Sequence, residues 1–155
     1  MKIAIGADIS GFELKEAVRK YLEKKEIDYV DFGTKSTDNP VDYFKIAPDV
    51  CRGIQRKQFT FGFLFCGTGM GMAQVANIFK GIRAAVCESV YAAKMSRAIN
   101  DSNILAMGGF LIGPEMGIAM ADIFLNTTLT QDMDGFHDFL LYAQDEIKKL
   151  EETLY

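Results

Sequence analysis

Positive charge is in short supply in this chain: 17 Lys and Arg face 21 Asp and Glu, a net charge of −4. Without a basic excess there is no electrostatic footprint for wrapping nucleic acid, and that partner class is excluded. Histidine occurs once and cysteine three times, as Cys51, Cys66 and Cys87. An odd number of cysteines without paired spacing predicts free thiols, and a single histidine leaves no credible zinc set, so no metal is expected. No apolar run is long enough to cross a bilayer. The opening Met1-Lys2-Ile3-Ala4-Ile5-Gly6-Ala7-Asp8 meets an acid at its eighth residue, so it reads as a first strand and not as a secretory signal. A cytoplasmic protein with no membrane partner is the expectation.

What is present is the balance of an ordinary globular chain, 49% hydrophobic and 25% charged over 155 residues, which predicts one domain spanning 1–155. Apolar runs alternate with helical patterns from end to end, the pattern of an α/β protein whose parallel sheet is covered by helices. Strands are predicted at Lys2 to Gly6, Ile27 to Phe32, Phe59 to Phe65, Ile82 to Cys87 and Ile104 to Met107. The fold expected is a three-layer, Rossmann-like, five-stranded parallel sheet with helices on both faces. Ser10-Gly11-Phe12-Glu13 has the spacing of a capping box and opens the first helix. A second helix is expected from Val41 to Arg56, with a kink or a late start at Pro48. Further helices are read at Met72 to Phe79, Val90 to Ile99, Gly113 to about Leu125 and Phe136 to Leu154.

Ligands of open α/β sheets sit outside the carboxyl ends of the strands, so the residues that follow each strand are the candidates. These are Asp8, the turn Cys66-Gly67-Thr68-Gly69-Met70-Gly71, Glu88 and Ser89, and Gly108-Gly109. Alternating glycines let backbone N–H groups converge, and the following helix adds its positive end, so Gly67 to Gly71 can hold a phosphate or a developing oxyanion. The spacing fits neither nucleotide fingerprint, and a merely tight crossover is the competing reading. Cys66, beside this turn, is either a general base or nucleophile, or an inert core thiol. Asp8 orders a ligand hydroxyl or caps a helix. Met70, Met72, Met116 and Met120 read as core or interface, Cys51 and Cys87 as core, and His137 as structural or exposed.

Taken together, these motifs make the chain resemble the family of ribose-5-phosphate isomerase B and the galactose-6-phosphate isomerase subunits. The likeness runs through Lys2 to Asp8, Gly11 to Lys15, Asp31 to Thr34, Val41-Asp42-Tyr43, Cys66 to Gly71, Ala76-Asn77, Gly81 to Ala85, Ser96-Arg97, Asn100 to Asn103 and Gly113-Pro114-Glu115. The resemblance implies aldose–ketose isomerisation of a sugar or sugar phosphate through a cis-enediolate, with no cofactor and with Cys66 as the base between C1 and C2. It assigns Thr68 and Asp8 to proton handling and ring opening. Gly67, Gly69, Met70 and Gly71 become the anion hole, and Asn100 and Tyr43 sugar contacts. It also implies a homodimer or dimer of dimers with the C-terminal helix exchanged or docked across it, and the site completed by the second chain. That second chain is a copy or a family relative in a hetero-oligomer. The alternative is a non-catalytic or half-site subunit that binds a carbohydrate-like ligand.

Five positions depart from the family pattern. Ile9 and Ile99 stand where it has histidine; Phe110, Phe136 and Leu140 stand where it has arginine. Each lost cation removes charge-assisted hydrogen bonds of about 1.5–3 kcal/mol to a phosphate. That end of the pocket is expected to favour an uncharged or hydrophobic group over the phosphate of ribose 5-phosphate.

Overall fold

The computed structural model describes residues 1–155. In chain order the elements are β1 (Lys2–Ala7), α1 (Phe12–Lys24), β2 (Asp28–Asp31), α2 (Tyr43–Gln55), β3 (Phe61–Cys66), α3 (Met70–Ala76), β4 (Ala84–Val86), α4 (Val90–Ala98), β5 (Ile104–Gly108), α5 (Pro114–Leu125) and α6 (His137–Leu154), with a 3-10 turn at Asp134–Phe136. All pairings are parallel, in the order β2-β1-β3-β5-β4. The Rossmann-like α/β fold read from the sequence is the observed one.

Central strands buried on both faces read as unbroken apolar runs, but their side chains still alternate. Ile3, Ile5, Ala7, Phe63, Phe65, Leu105 and Met107 pack under α1, α4 and α5; Ala4, Leu64, Cys66 and Ile104 pack under α2 and α3. Register sets Ala7 beside Phe65 and Cys66 beside Gly108, so β1, β3 and β5 end level at one edge of the sheet. Everything that follows these three ends is therefore brought together. No helix is long and apolar enough to cross a membrane.

Three local expectations change. Ser10 does not cap α1: the N-cap position falls on Gly11, and Asp8 Oδ1 accepts from the N–H groups of Ser10 (2.9 Å) and Gly11 (3.0 Å). Asp8 takes the Ser10 N–H that the Glu13 side chain would accept in a box, so no box forms. The late start of α2 does not occur either, because the helix begins at Tyr43, ahead of Pro48. Finally, α3 starts at Met70, two residues before the expected Met72, since Gly69 at φ 79° completes the turn and serves as its N-cap.

A buried ion pair ties the α1 face to β2. Lys15, fully buried, places Nζ 2.5 Å from Asp31 Oδ2 and 2.6 Å from the Thr34 carbonyl oxygen. Helix α6 is held quite differently: of its eighteen residues only Leu140 is buried, and Phe139, Tyr142, Ile147 and Leu150 are exposed. Gln144 donates to the Ile99 carbonyl at 3.1 Å, Glu151 accepts from the Gly81 N–H, and the Tyr155 hydroxyl meets the Ile78 carbonyl. These contacts lay α6 along the loops that feed the amino ends of β4 and β5.

Candidate active site

Four segments meet at the level ends of β1, β3 and β5. The Asp8 N–H donates to the Phe65 carbonyl at 3.1 Å, and the Gly109 N–H donates to the Cys66 carbonyl at 2.8 Å. Close approach requires small residues here: a Cβ on Gly11 would lie 2.4 Å from the Phe65 carbonyl carbon, and one on Gly108 2.7 Å from Thr68 backbone. Tyr43, from the first turn of α2, packs its ring against Gly71, where a Cβ would come within 3.1 Å of Cε2. Asp8, Tyr43, Cys66, Thr68 and the glycine turn are thus one cluster.

Cys66 is buried, and its Sγ accepts the Gly69 N–H at 3.1 Å. That bond holds the sulfur against the glycine turn. The Thr68 hydroxyl accepts from the Met70 N–H at 3.3 Å. The N–H groups of Gly67, Thr68 and Gly71 donate to no other group of the chain. These free donors carry the anion-hole reading; the dipole of α3, a helix of seven residues, does not. The other two cysteines are inert core, as expected: burial pushes the Cys51 thiol up to about 12 and raises that of Cys87.

Asp8 holds the turn that leads into α1, and its pKa is shifted. Burial raises its pKa, the Gly11 and Ser10 N–H groups pull it down, and the carboxylate of Asp42 raises it further, with the net direction upward. Asp42, named in the sequence only as part of Val41-Asp42-Tyr43, acts on Asp8 across two loops, an influence that leaves no local signal. Ser89 is only a cap, its Oγ accepting from the Ala92 N–H at 3.1 Å.

Asn100 is not brought to this cluster within one chain. It precedes β5, and the four-residue step from Gly62 to Cys66 alongside Ile104 to Gly108 puts roughly 13 Å of strand between the two ends of the sheet. Asn100 instead lines a separate cavity of about 330 Å³ with Asn77, Arg83 and Ser102. No cavity of the chain is lined by Cys66, Thr68 or Asp8; the largest, about 610 Å³, lies against α1 and Ile118. Met72 and Met120 are core as read, whereas Met70 and Met116 are exposed.

The departures divide in the same way. Ile9, 46% exposed, and Phe110, 74% exposed, sit at the cluster, and the Phe110 ring rests on Gly67. Leu140 is the buried residue of α6, and Ile99 lies beside Asn100 at the far end. His137 is exposed, with Nδ1 2.9 Å from Thr130 Oγ1. Among the cations, Arg97 is 7% exposed, stacked on Phe61 and bonded to Asp101 at 2.7 Å, while Lys45 forms an exposed pair with Asp42 and Lys94 pairs with Asp132. No group of three or more His, Cys, Asp or Glu side chains gathers as for a metal ion.

The family model described as Ribose/Galactose Isomerase matches residues 3–135. The chain belongs to that family. A 4-deoxy-4-sulfo-D-erythrose isomerase of Clostridium sp. (strain MSTE9) is 46% identical over 100% of this chain and 98% of its own. A ribose-5-P isomerase B of Listeria innocua is 40% identical over 82% of this chain and 85% of its own. Among solved structures, ribose-5-phosphate isomerase B of Clostridium thermocellum superposes with a TM-score of 0.89 at 33% identity, covering 100% of both chains. This Ribose/Galactose Isomerase member therefore shares its fold with sugar-phosphate isomerases. Its likeness to the sulfosugar isomerase runs its full length.

Proposed function

We propose that the chain interconverts an aldose and its 2-ketose, with Cys66 as the base, on a short sugar that carries a sulfonate at its distal end. The observation that carries the reading is the Gly69 N–H at 3.1 Å from Cys66 Sγ, next to the free N–H groups of Gly67, Thr68 and Gly71. The thiolate takes the proton from C2, the C2 electrons form the C1–C2 double bond, and O1 becomes an oxyanion. Pre-aimed donors stabilise this charge as it develops. The O2 proton passes to O1, with Asp8 and Thr68 beside the path, and Cys66 returns its proton to C1 as O2 becomes the ketone. Atoms balance, and nothing external is oxidised or reduced.

The distal group follows from the lost cations. A phosphate monoester carries about −1.5 to −2 at pH 7, and a sulfonate a single negative charge on three equivalent oxygens. A rim that has Phe110 in place of arginine is matched to the smaller charge. The similarity to an isomerase named for a sulfonated four-carbon sugar supports the same choice, and it moves the expectation from an uncharged group to a singly charged one. Asn100, remote from Cys66 in its own chain, contacts the sugar from a second copy, so the working unit is at least a homodimer. The test is conversion of 4-deoxy-4-sulfo-D-erythrose in D₂O, read by NMR. Ketose with solvent deuterium at C1 is expected, together with its loss in Cys66→Ala. No conversion by the wild-type protein would overturn the proposal.

A further inference from the structure

We infer that Thr34 is the positioning residue for Tyr43: by accepting the Val41 N–H, its hydroxyl oxygen sets the Tyr43 hydroxyl beside Gly71, where it meets a hydroxyl of the sugar. The inference rests on the reading just given and names what places one of its sugar contacts.

Thr34 is fully buried, and its three polar atoms each tie a different element. Its N–H donates to the Ala7 carbonyl at 2.8 Å, at the end of β1. Its carbonyl accepts from Lys15 Nζ at 2.6 Å, from α1. Its Oγ1 accepts the Val41 N–H at 2.9 Å, one residue before the N-cap of α2. Gly33 allows the close approach, since a Cβ there would collide with the Ala7 backbone. A buried ion pair such as Lys15 with Asp31 adds little net stability over apolar packing. What Lys15 does secure is the Thr34 carbonyl, and with it the place of Oγ1.

Little else holds the entry to α2. Asp42 at the N-cap makes no side-chain cap, and its pair with Lys45 is exposed. Residues 35–40 are all exposed and share a single hydrogen bond, from the Asn39 N–H to the Ser36 carbonyl at 3.3 Å, so the bond from Val41 to Thr34 is what closes this loop. Val41 and Tyr43 are only partly buried against the core, and apolar contact fixes no direction. Further along, Ile46, Ala47 and Val50 anchor α2 in the core, so the helix stays in place whether or not its first turn is held. Tyr43 is in that first turn, with the hydroxyl-bearing Cζ 3.3 Å from where a Cβ of Gly71 would lie. The Tyr43 hydroxyl is bonded to no group of the chain, and neither is the Gly71 N–H. Two unpaired polar groups thus stand side by side at the turn, and one buried oxygen determines that they meet.

The test is a double-mutant cycle. Thr34→Val keeps the shape and removes the acceptor, and Tyr43→Phe keeps the ring and removes the hydroxyl. With 4-deoxy-4-sulfo-D-erythrose, each single variant should raise KM roughly 3- to 10-fold, the worth of one hydrogen bond to an uncharged partner. Values of kcat should stay within about twofold, since a sugar hydroxyl is held alike before and during proton transfer. In the Tyr43→Phe background, Thr34→Val should add nothing. Thr34→Ser, which returns the oxygen, should restore the wild-type KM. Should Thr34→Val not fold, Val41→Pro removes the donor of the same bond and carries the same expectations. Effects of the two changes that multiply, a fall in kcat alone, or an unchanged KM in either single variant would overturn the inference and leave the isomerase reading standing. No conversion by the wild-type protein would instead bring down that reading, and this inference with it.

Discussion

The ring of Phe110 lies on Gly67 so closely that a Cβ added to the glycine would come within 2.5 Å of Cε2, while the Phe110 N–H donates to the Gly67 carbonyl at 2.9 Å. The residue that stands in place of a family arginine is thus placed by backbone against the turn whose N–H groups at Gly67, Thr68 and Gly71 are free. Phe110→Arg should restore one charge-assisted contact to a phosphate. Its worth of about 1.5–3 kcal/mol corresponds to roughly 10- to 150-fold tighter binding of ribose 5-phosphate by calorimetry, with little change for the free sugar.

Cys66→Ala should leave the fold intact, since the thiol adds little bulk beside Leu64 and Met72. Turnover should fall by at least ~100-fold. Circular dichroism and the isomerase assay on the same preparation check both halves. Full activity would return Cys66 to the core.

Lys15→Ala should destabilise the protein by about 3–5 kcal/mol, because it strands the Asp31 carboxylate at a largely buried site. Denaturant midpoints measure it. Loss of the Thr34 carbonyl contact should also loosen the loop that leads to Tyr43.

Asp8 gives a pH-dependent stability whose sign follows from its raised pKa. The folded protein holds the Asp8 proton more tightly than the unfolded chain does. Its contribution is favourable below the ordinary carboxylate pKa and is lost as pH rises through the folded one, so ionised Asp8 weakens the fold at neutrality. Asp8→Asn keeps an oxygen for the Ser10 and Gly11 N–H groups. It should raise Tm at pH 7, by an amount that shrinks as pH falls through the carboxylate range, while activity drops.

The sheet was legible because buried parallel strands such as Phe61–Cys66 are continuous apolar runs bounded by glycine and polar residues. Its strand order was not, since nothing local to Ala84–Val86 tells it to take the edge and leave β5 beside β3. The Cys66 turn was legible from residue types alone. That Asp8 rather than Glu13 would take the Ser10 N–H before α1 depended on which acceptor arrives nearer, a matter of distance. Asn100 precedes the strand that ends beside Cys66, so its place at the opposite edge of the sheet was legible in chain order, whereas no local pattern says which second surface meets it.

The segment after α4 has its own consequence. Asp101, at φ 47°, accepts from Arg83 and Arg97 together, and Asn103 is bonded to the Arg83 N–H and the Gly81 carbonyl. These bonds fix the chain on both sides of Asn100 while its side chain stays exposed. The loop's disorder is thus removed when the single chain folds. A surface that docks there meets a rigid template and need not order it, so the dissociation constant for assembly reflects the buried contact itself.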